Sequence, residues 1–183
     1  MVSETRSRMV EGAARLLAMQ GLEGTSFSEV LELTGAPRGS VYHHFPEGKD
    51  QLIAAAIDLA GSRALAAVDE WTGRSPEEVA AAFLELWRSV LVRSRLRAGC
   101  AVLAVTVATD SPDLIAAAAG VFRSWRERLA ALLADGGHPH PESFAATLVA
   151  ASEGAVVISR AEQSMEPFEL VAEQLLAFAA PGR

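Results

Sequence analysis

Twice in this chain a serine stands three residues ahead of a glutamate at the head of an apolar run: Ser26-Phe-Ser-Glu29 and Ser75-Pro-Glu-Glu78. In each, the hydroxyl can accept from the backbone N–H of the third helical residue while the carboxylate reaches back to the serine N–H, so both predict helix starts. The second adds proline at the first helical position, where a missing N–H costs nothing. Apolar residues then recur at helical spacing, and the two-residue alternation of a half-buried strand is almost absent. The pattern predicts an all-α chain.

Met9, Val10, Ala13, Leu16 and Leu17 form the inner face of a first helix over 5–20, with Gly21 as its cap. The second opens at Ser26, turns Phe27, Val30, Leu31 and Thr34 inward, and ends at Gly35-Ala-Pro37. A short third begins at about Arg38, with Val41 and Phe45 one turn apart. Pro46-Glu-Gly48 breaks the chain, and Lys49 opens a fourth helix through Leu59. From Ser75 a helix runs toward Arg97 with Phe83, Leu84, Trp87, Val90 and Leu91 on its apolar face. Another, from Ser111-Pro-Asp113 to Gly136-Gly137, carries Leu114, Phe122, Trp125, Leu129 and Leu132. HPHP (138–141) is a turn, 142–164 an apolar helix rich in alanine, and the last helix starts near Pro167. AVLAVTVAT (101–109) is β-branched enough for a strand, but no second strand exists to pair its ladder, so it reads as a buried helix.

Half of the residues are hydrophobic and the mean hydropathy is +0.22, which predicts more apolar surface than one subunit covers and hence an oligomer. The uncharged run 98–109 is shorter than the roughly 20 residues of a membrane span, so no membrane partner is predicted. MVSETRSRMVEGAAR has no apolar signal core. With Cys100 alone no intrachain disulfide forms, and a reducing cytoplasm is the expected location. The net charge is −7, and residues 1–60 hold five bases (Arg6, Arg8, Arg15, Arg38 and Lys49) against eight acids. Any contact with nucleic acid must therefore use a local cluster and weaken steeply with salt.

That leaves residues 35–45, GAPRGSVYHHF. Two short helices joined by a tight glycine-containing turn, after a longer first helix, make a helix-turn-helix unit. With Val41 and Phe45 inward, the opposite face presents Gly39, Ser40 and His43, flanked by Tyr42, with Arg38 and His44 nearer the edges. Such a small, flat, hydrogen-bonding surface suits insertion into a major groove. A glycine at 39 costs helix stability, and close approach to DNA would explain it.

TSFSEVLELTGAPRGSVYHHFPEGKDQLIAAAI (25–57) resembles the DNA-binding signature of the TetR family of bacterial transcriptional repressors, above all in Tyr-His-His-Phe followed by a helix-opening lysine. The Pro-Arg-Gly-Ser and Phe-Pro-Glu-Gly-Lys variants, with GCAVLAVTVAT, further resemble the LmrA/YxaF-type subgroup. The resemblance implies about nine helices, with a helix-turn-helix DNA-binding domain over 1–60 and a helical effector-binding and dimerisation domain over 61–183. It also implies a homodimer on a palindromic double-stranded DNA operator, released by a small molecule. Carried over by position, Arg38, Ser40, Tyr42 and His43 contact bases or phosphates, with Gly39 among them. Thr25, Ser26, Tyr42, His44 and Lys49 hold the DNA backbone. The low positive charge and Gly39 depart from the family pattern.

Other features have simpler roles. His43 and His44 point about 100° apart on a helix, so they are a poor metal pair. His138 and His140 with Asp135 read as a solvated turn, and Cys100 as a core residue. No metal or cofactor is predicted, and without a nucleophile–base pair or phosphate-binding glycine loop no enzyme activity either. The aromatic faces predict an effector site lined by Trp71, Phe83, Trp87, Leu91, Leu103, Thr106, Val107, Phe122, Trp125, Leu148 and Ser152. Few acids fall on these faces, which predicts a neutral or weakly charged, flat, hydrophobic effector. Ala151, Gly154 and Ala155, with the stripe Phe168-Val171-Leu175-Phe178, predict the dimer interface as a four-helix bundle. Two alternatives stay open: a DNA-binding regulator controlled by a protein partner or by redox, and a helical enzyme or carrier retaining a vestigial helix-turn-helix.

Overall fold

A computed structural model describes residues 3–180, among which there are nine α-helices, one 3-10 turn and no strand. The described chain packs as two units. One takes the chain up to Arg63 together with Cys100–Phe122, and the other takes Ala64–Gly99 together with the chain from Arg123 onward. Residues 100–122 thus pack with the N-terminal helices, although they lie far beyond residue 60 along the chain.

In the first unit, α1 (Glu4–Gln20) is capped by Ser3, whose hydroxyl accepts from the Arg6 N–H, and buries Met9, Val10, Ala13, Leu16 and Leu17. A Cβ at Gly12 would lie 2.5 Å from Cγ2 of Thr34, so this glycine lets α1 approach α2 (Phe27–Thr34) closely. Both halves of the capping box at Ser26 and Glu29 form, and Gly35 ends α2 at φ 65°. Proline at 37 holds extended backbone, and the Ser40 N–H then bonds the Pro37 carbonyl at 3.0 Å. The expected third helix is accordingly a 3-10 turn at Arg38–Ser40 followed by the single-turn α3 (Val41–His44).

The helix α4 (Lys49–Asp69) starts in this unit, and α7 (Pro112–Asp135) meets it where a Cβ at Gly61 would fall 2.6 Å from Val121. The β-branched segment is indeed helical, as α6 (Ala101–Thr106), with Val102 and Val105 fully buried and the helix packed on α1. It is shorter than expected. Cys100 caps it, its Sγ accepting from the Leu103 N–H, and Val107 beyond its end is 75% exposed.

In the second unit, α5 (Pro76–Ser94) opens on the capping box of Ser75 and Glu78. It stops before Arg97 because Arg95 and Leu96 both take left-handed backbone, at φ 53° and 61°. The helices α8 (Pro141–Glu162) and α9 (Glu166–Ala179) pack on each other and on α5. Arg88 on α5 donates two bonds of 2.7 Å to Glu169 on α9 and one to Glu85, and lies over the Phe168 ring. The Phe168 N–H donates to the buried Ser159 hydroxyl. Arg160 on α8 donates to the Arg97 carbonyl, and Gly99 leaves its guanidinium room, since a Cβ there would sit 2.8 Å from Nη1. Helices α4 and α8 have the length and hydropathy of membrane spans, a property shared by core helices, and half of the α8 window is buried.

Candidate nucleic-acid interface

Val41 is 3% exposed and Phe45 fully buried, with the Phe45 ring 6.5 Å from that of Phe27. These anchors turn the remaining side chains of the short segment outward. Tyr42 is 75% exposed; Arg38, Gly39 and His43 are exposed, and Ser40 is half-buried. A Cβ at Gly39 would meet nothing within 4 Å, so packing within the chain does not require glycine there. The Ser40 hydroxyl donates to the Pro37 carbonyl at 2.6 Å, which leaves it an acceptor toward base amino groups.

The flanking residues expected on the DNA backbone are more committed to the protein. Thr25 is buried: its hydroxyl donates to the Gly21 carbonyl at 2.8 Å and its N–H to that of Leu22. It closes the end of α1, so Thr25, expected on the DNA backbone, does not turn its side chain outward. Lys49 is half-buried and donates to the Leu22 carbonyl at 3.1 Å, with two further ammonium hydrogens to give. His44 is half-buried and pairs through Nε2 with the Ser3 hydroxyl at 3.2 Å, while its ring meets His43 edge-on at 4.9 Å. Ser26 accepts from the Glu29 N–H, and its hydroxyl also bonds the Glu29 carboxyl.

Two further bases sit beside this surface. Arg6 lies over the Phe45 ring at 5.3 Å, and Arg8 donates to the Thr34 carbonyl. Their signal in sequence was faint: both fall outside the apolar face of α1. Glu29 lies within Coulombic reach of Lys49. Hydrogen bonds from Ser26, first its N–H and then its hydroxyl, hold the carboxyl below its ordinary value.

Of the residues expected to line an effector site, Trp71, Phe83, Trp87, Leu91, Trp125, Leu148 and Ser152 are buried in the second unit. Leu103, Thr106 and Phe122 belong to the first unit and are half-buried. Val107 faces solvent because α6 ends before it. An acid does lie among the buried residues: Glu153 on α8 is 6% exposed, contrary to the acid-poor lining expected. Its position one turn from Val149 and from Val156 was the available signal. An open groove of about 420 Å3 on α7 and the start of α8, lined by Arg126, Ala130, Ala131, Ala134 and Pro141, contains none of the expected residues.

The stripe expected at a dimer interface divides. Ala155, Phe168 and Leu175 are buried within the chain, because α9 turns that side onto α5 and α8, so they are not open to a partner. Ala151 and Val171 are half-buried, while Gly154 and Phe178 are exposed. Exposed apolar side chains remain at Val157 and Ile158 on α8 and at Leu170 and Phe178 on α9, each 47–64% exposed.

Among the described residues no cluster of three or more His, Cys, Asp or Glu is placed to hold a metal. His138 is tied through Nε2 to the Phe178 carbonyl and through Nδ1 to the His140 N–H, and its ring stacks on Phe144.

A helix-turn-helix whose reading surface stands on two buried anchors defines a DNA-binding regulator, and the comparisons agree. Residues 9–56 match the bacterial regulatory proteins of the tetR family, and residues 76–174 match the C-terminal domain of LmrA/YxaF-like transcriptional regulators. The uncharacterized HTH-type transcriptional regulator Rv0196 of Mycobacterium tuberculosis is 38% identical over 93% of this chain and 91% of its own length. The uncharacterized HTH-type transcriptional regulator YxaF of Bacillus subtilis is 28% identical over 94% and 93%. A solved TetR transcriptional regulator from Chloroflexus aurantiacus, 30% identical, superposes with a TM-score of 0.80 over 96% of this chain and 93% of its own. The chain belongs to the TetR family of transcriptional regulators, with an LmrA/YxaF-like C-terminal domain. Its relatives are regulators and not enzymes.

Proposed function

We propose that this regulator is a repressor that binds a palindromic operator as a homodimer in the cytoplasm and is released by a small, hydrophobic, aromatic effector. Residues 1–60 are its DNA-binding domain and 61–183 its effector-binding and dimerisation domain. The observation that carries the reading is the outward surface of Arg38, Gly39, Ser40, Tyr42 and His43, held by the buried Val41 and Phe45. Ser26, His44 and Lys49 stand at its edges for the phosphates. Exposed Val157, Ile158, Leu170 and Phe178 support dimerisation. Gly154 supports it as well, an exposed helical glycine where an added Cβ meets nothing in its own chain. Glycine costs a helix about 1 kcal/mol, and the close approach of a partner helix accounts for it.

Two reading heads on one two-fold dimer require half-sites about 34 Å apart, one turn of DNA. An effector that favours a differently spaced dimer shifts the population off DNA by its differential affinity, typically about 1–3 kcal/mol. Buried Trp71, Phe83, Trp87 and Trp125 suit an aromatic ligand. Footprinting on the DNA flanking the protein's own gene, at several salt concentrations, tests the reading. Two protected half-sites one turn apart, with affinity falling as salt rises, are the expected result; protection without sequence preference would refute it.

A further inference from the structure

The first turn of α1 meets the reading segment at two points. Ser3 pairs with Nε2 of His44 at 3.2 Å, and the Arg6 guanidinium carbon stands 5.3 Å from the centre of the Phe45 ring. Phe45 is fully buried, and Arg6, itself half-buried, lies across it. Other bases of this unit spend donors within the chain: Arg63 on Glu11, Lys49 on the Leu22 carbonyl and Arg8 on the Thr34 carbonyl. Arg6 does not. Among the described residues no carboxylate pairs with its guanidinium and no carbonyl takes its N–H groups. A ring face attracts a cation without supplying a hydrogen-bond acceptor, so it restrains the side chain and leaves its donors open. A planar cation restrained in this way, in a segment where acids outnumber bases, is preorganised for an anion from outside the chain. Its fork of donors fits the two oxygens of a phosphate. Arg6 also precedes residues 9–56, which match the family, so that likeness assigns it no role.

We propose that Arg6 is a phosphate-binding residue, gripping one DNA backbone phosphate at the rim of the groove that Tyr42 and His43 enter. The Ser3–His44 bond and the Phe45 ring tie the first turn of α1 to the trailing end of the reading segment, so the grip and the reading surface form one piece. A phosphate is present on every sequence, so the contact positions the protein and selects no base. This rests on the DNA-binding reading above and adds to it a contact made by α1.

The test uses the full-length protein with the footprinted operator and with an unrelated duplex of equal length, each titrated at about 50 to 200 mM salt. Arg6→Met keeps an unbranched apolar cover on Phe45 and removes the charge, and Arg6→Gln is the second charge-free variant should the first fold poorly. Arg6→Lys keeps the charge and loses the fork. On both duplexes Arg6→Met should bind roughly tenfold more weakly per subunit, as the loss of a hydrogen bond to a charged group does. Its plot of log affinity against log salt should be shallower by about 0.9 per subunit, because one phosphate fewer is neutralised. Arg6→Lys should keep the parent's slope and recover part of the affinity. An unchanged slope in the charge-free variant would overturn the proposal even if Tm falls, since a mere cover for Phe45 alters stability and releases no counterions. Weaker binding to the operator alone would overturn it too, moving Arg6 to a base edge. A parent that protects no operator would refute the repressor reading, while the slope on the unrelated duplex would still decide the role of Arg6.

Discussion

Replacing Gly39 by alanine should move stability and DNA affinity in opposite directions. Gly39 sits in the 3-10 turn at Arg38–Ser40, outside the left-handed region, and a Cβ there meets nothing within 4 Å. The added methyl therefore strains nothing in the free protein and restricts the unfolded chain, a change that stabilises by about 0.4–1 kcal/mol. For a chain of this length that is a rise in Tm of about 1–4 °C. On the operator the same methyl projects from the reading surface, where the backbone is proposed to lie close to the DNA. Forcing an extra methyl into a packed contact costs about 1–3 kcal/mol, which is roughly 5- to 150-fold in affinity per half-site. Differential scanning calorimetry gives the first quantity and a gel-shift titration on the footprinted operator the second. If Gly39→Ala binds operator as tightly as the parent, the glycine is not there for DNA; a lower Tm would show that the turn itself needs it.

Three further outcomes follow from the geometry. Tyr42→Ala should weaken operator binding by an order of magnitude, about 1.4 kcal/mol, with Tm unchanged, since a side chain 75% exposed contributes little to the fold; equal affinity would remove it from the interface. Ile158→Glu should yield a folded monomer, helical by circular dichroism, that no longer protects the operator; a dimeric mass by sedimentation would move the interface elsewhere. The Arg88 guanidinium holds the Glu169 carboxyl below its ordinary value of 4.5. A carboxyl depressed in the folded state stabilises fully above that value and loses its contribution as pH falls through the lower folded one. The urea midpoint of the parent should therefore drop more steeply below pH 4.5 than that of Glu169→Gln, and parallel curves would refute the linkage.

What the sequence made legible was whatever local geometry decides. The capping boxes at Ser26 and Ser75, the cap at Gly21 and the inward pair Val41 and Phe45 all involve residues within four positions of one another, and each forms as read. Partners distant in sequence were not legible. The Lys49 bond to Leu22 spans 27 residues and the Ser3–His44 bond 41, and nothing in either neighbourhood announces them. On α9 the stripe divides: Phe168 and Leu175 turn inward, while Val171 is half-buried and Phe178 exposed. An apolar face looks the same in sequence whether its own chain or a partner covers it, and here α5 and α8 cover Phe168 and Leu175. The burial of Glu153 is not legible in sequence, because a charged residue on a long helix ordinarily faces water.

The segment from Arg38 to His44 is seven residues long, and Val41 is the one buried side chain within it. Folding therefore constrains the segment at Val41 and at the neighbouring Phe45, and leaves positions 39, 42 and 43 almost free. If these positions read DNA as proposed, exchanges there would alter which DNA is read without a stability cost that selection could see. On the proposed reading, a gene duplicate of this protein could drift to a new operator in a few steps, each passing through a folded protein. The short, twice-pinned turn makes target choice an exchangeable part of the molecule.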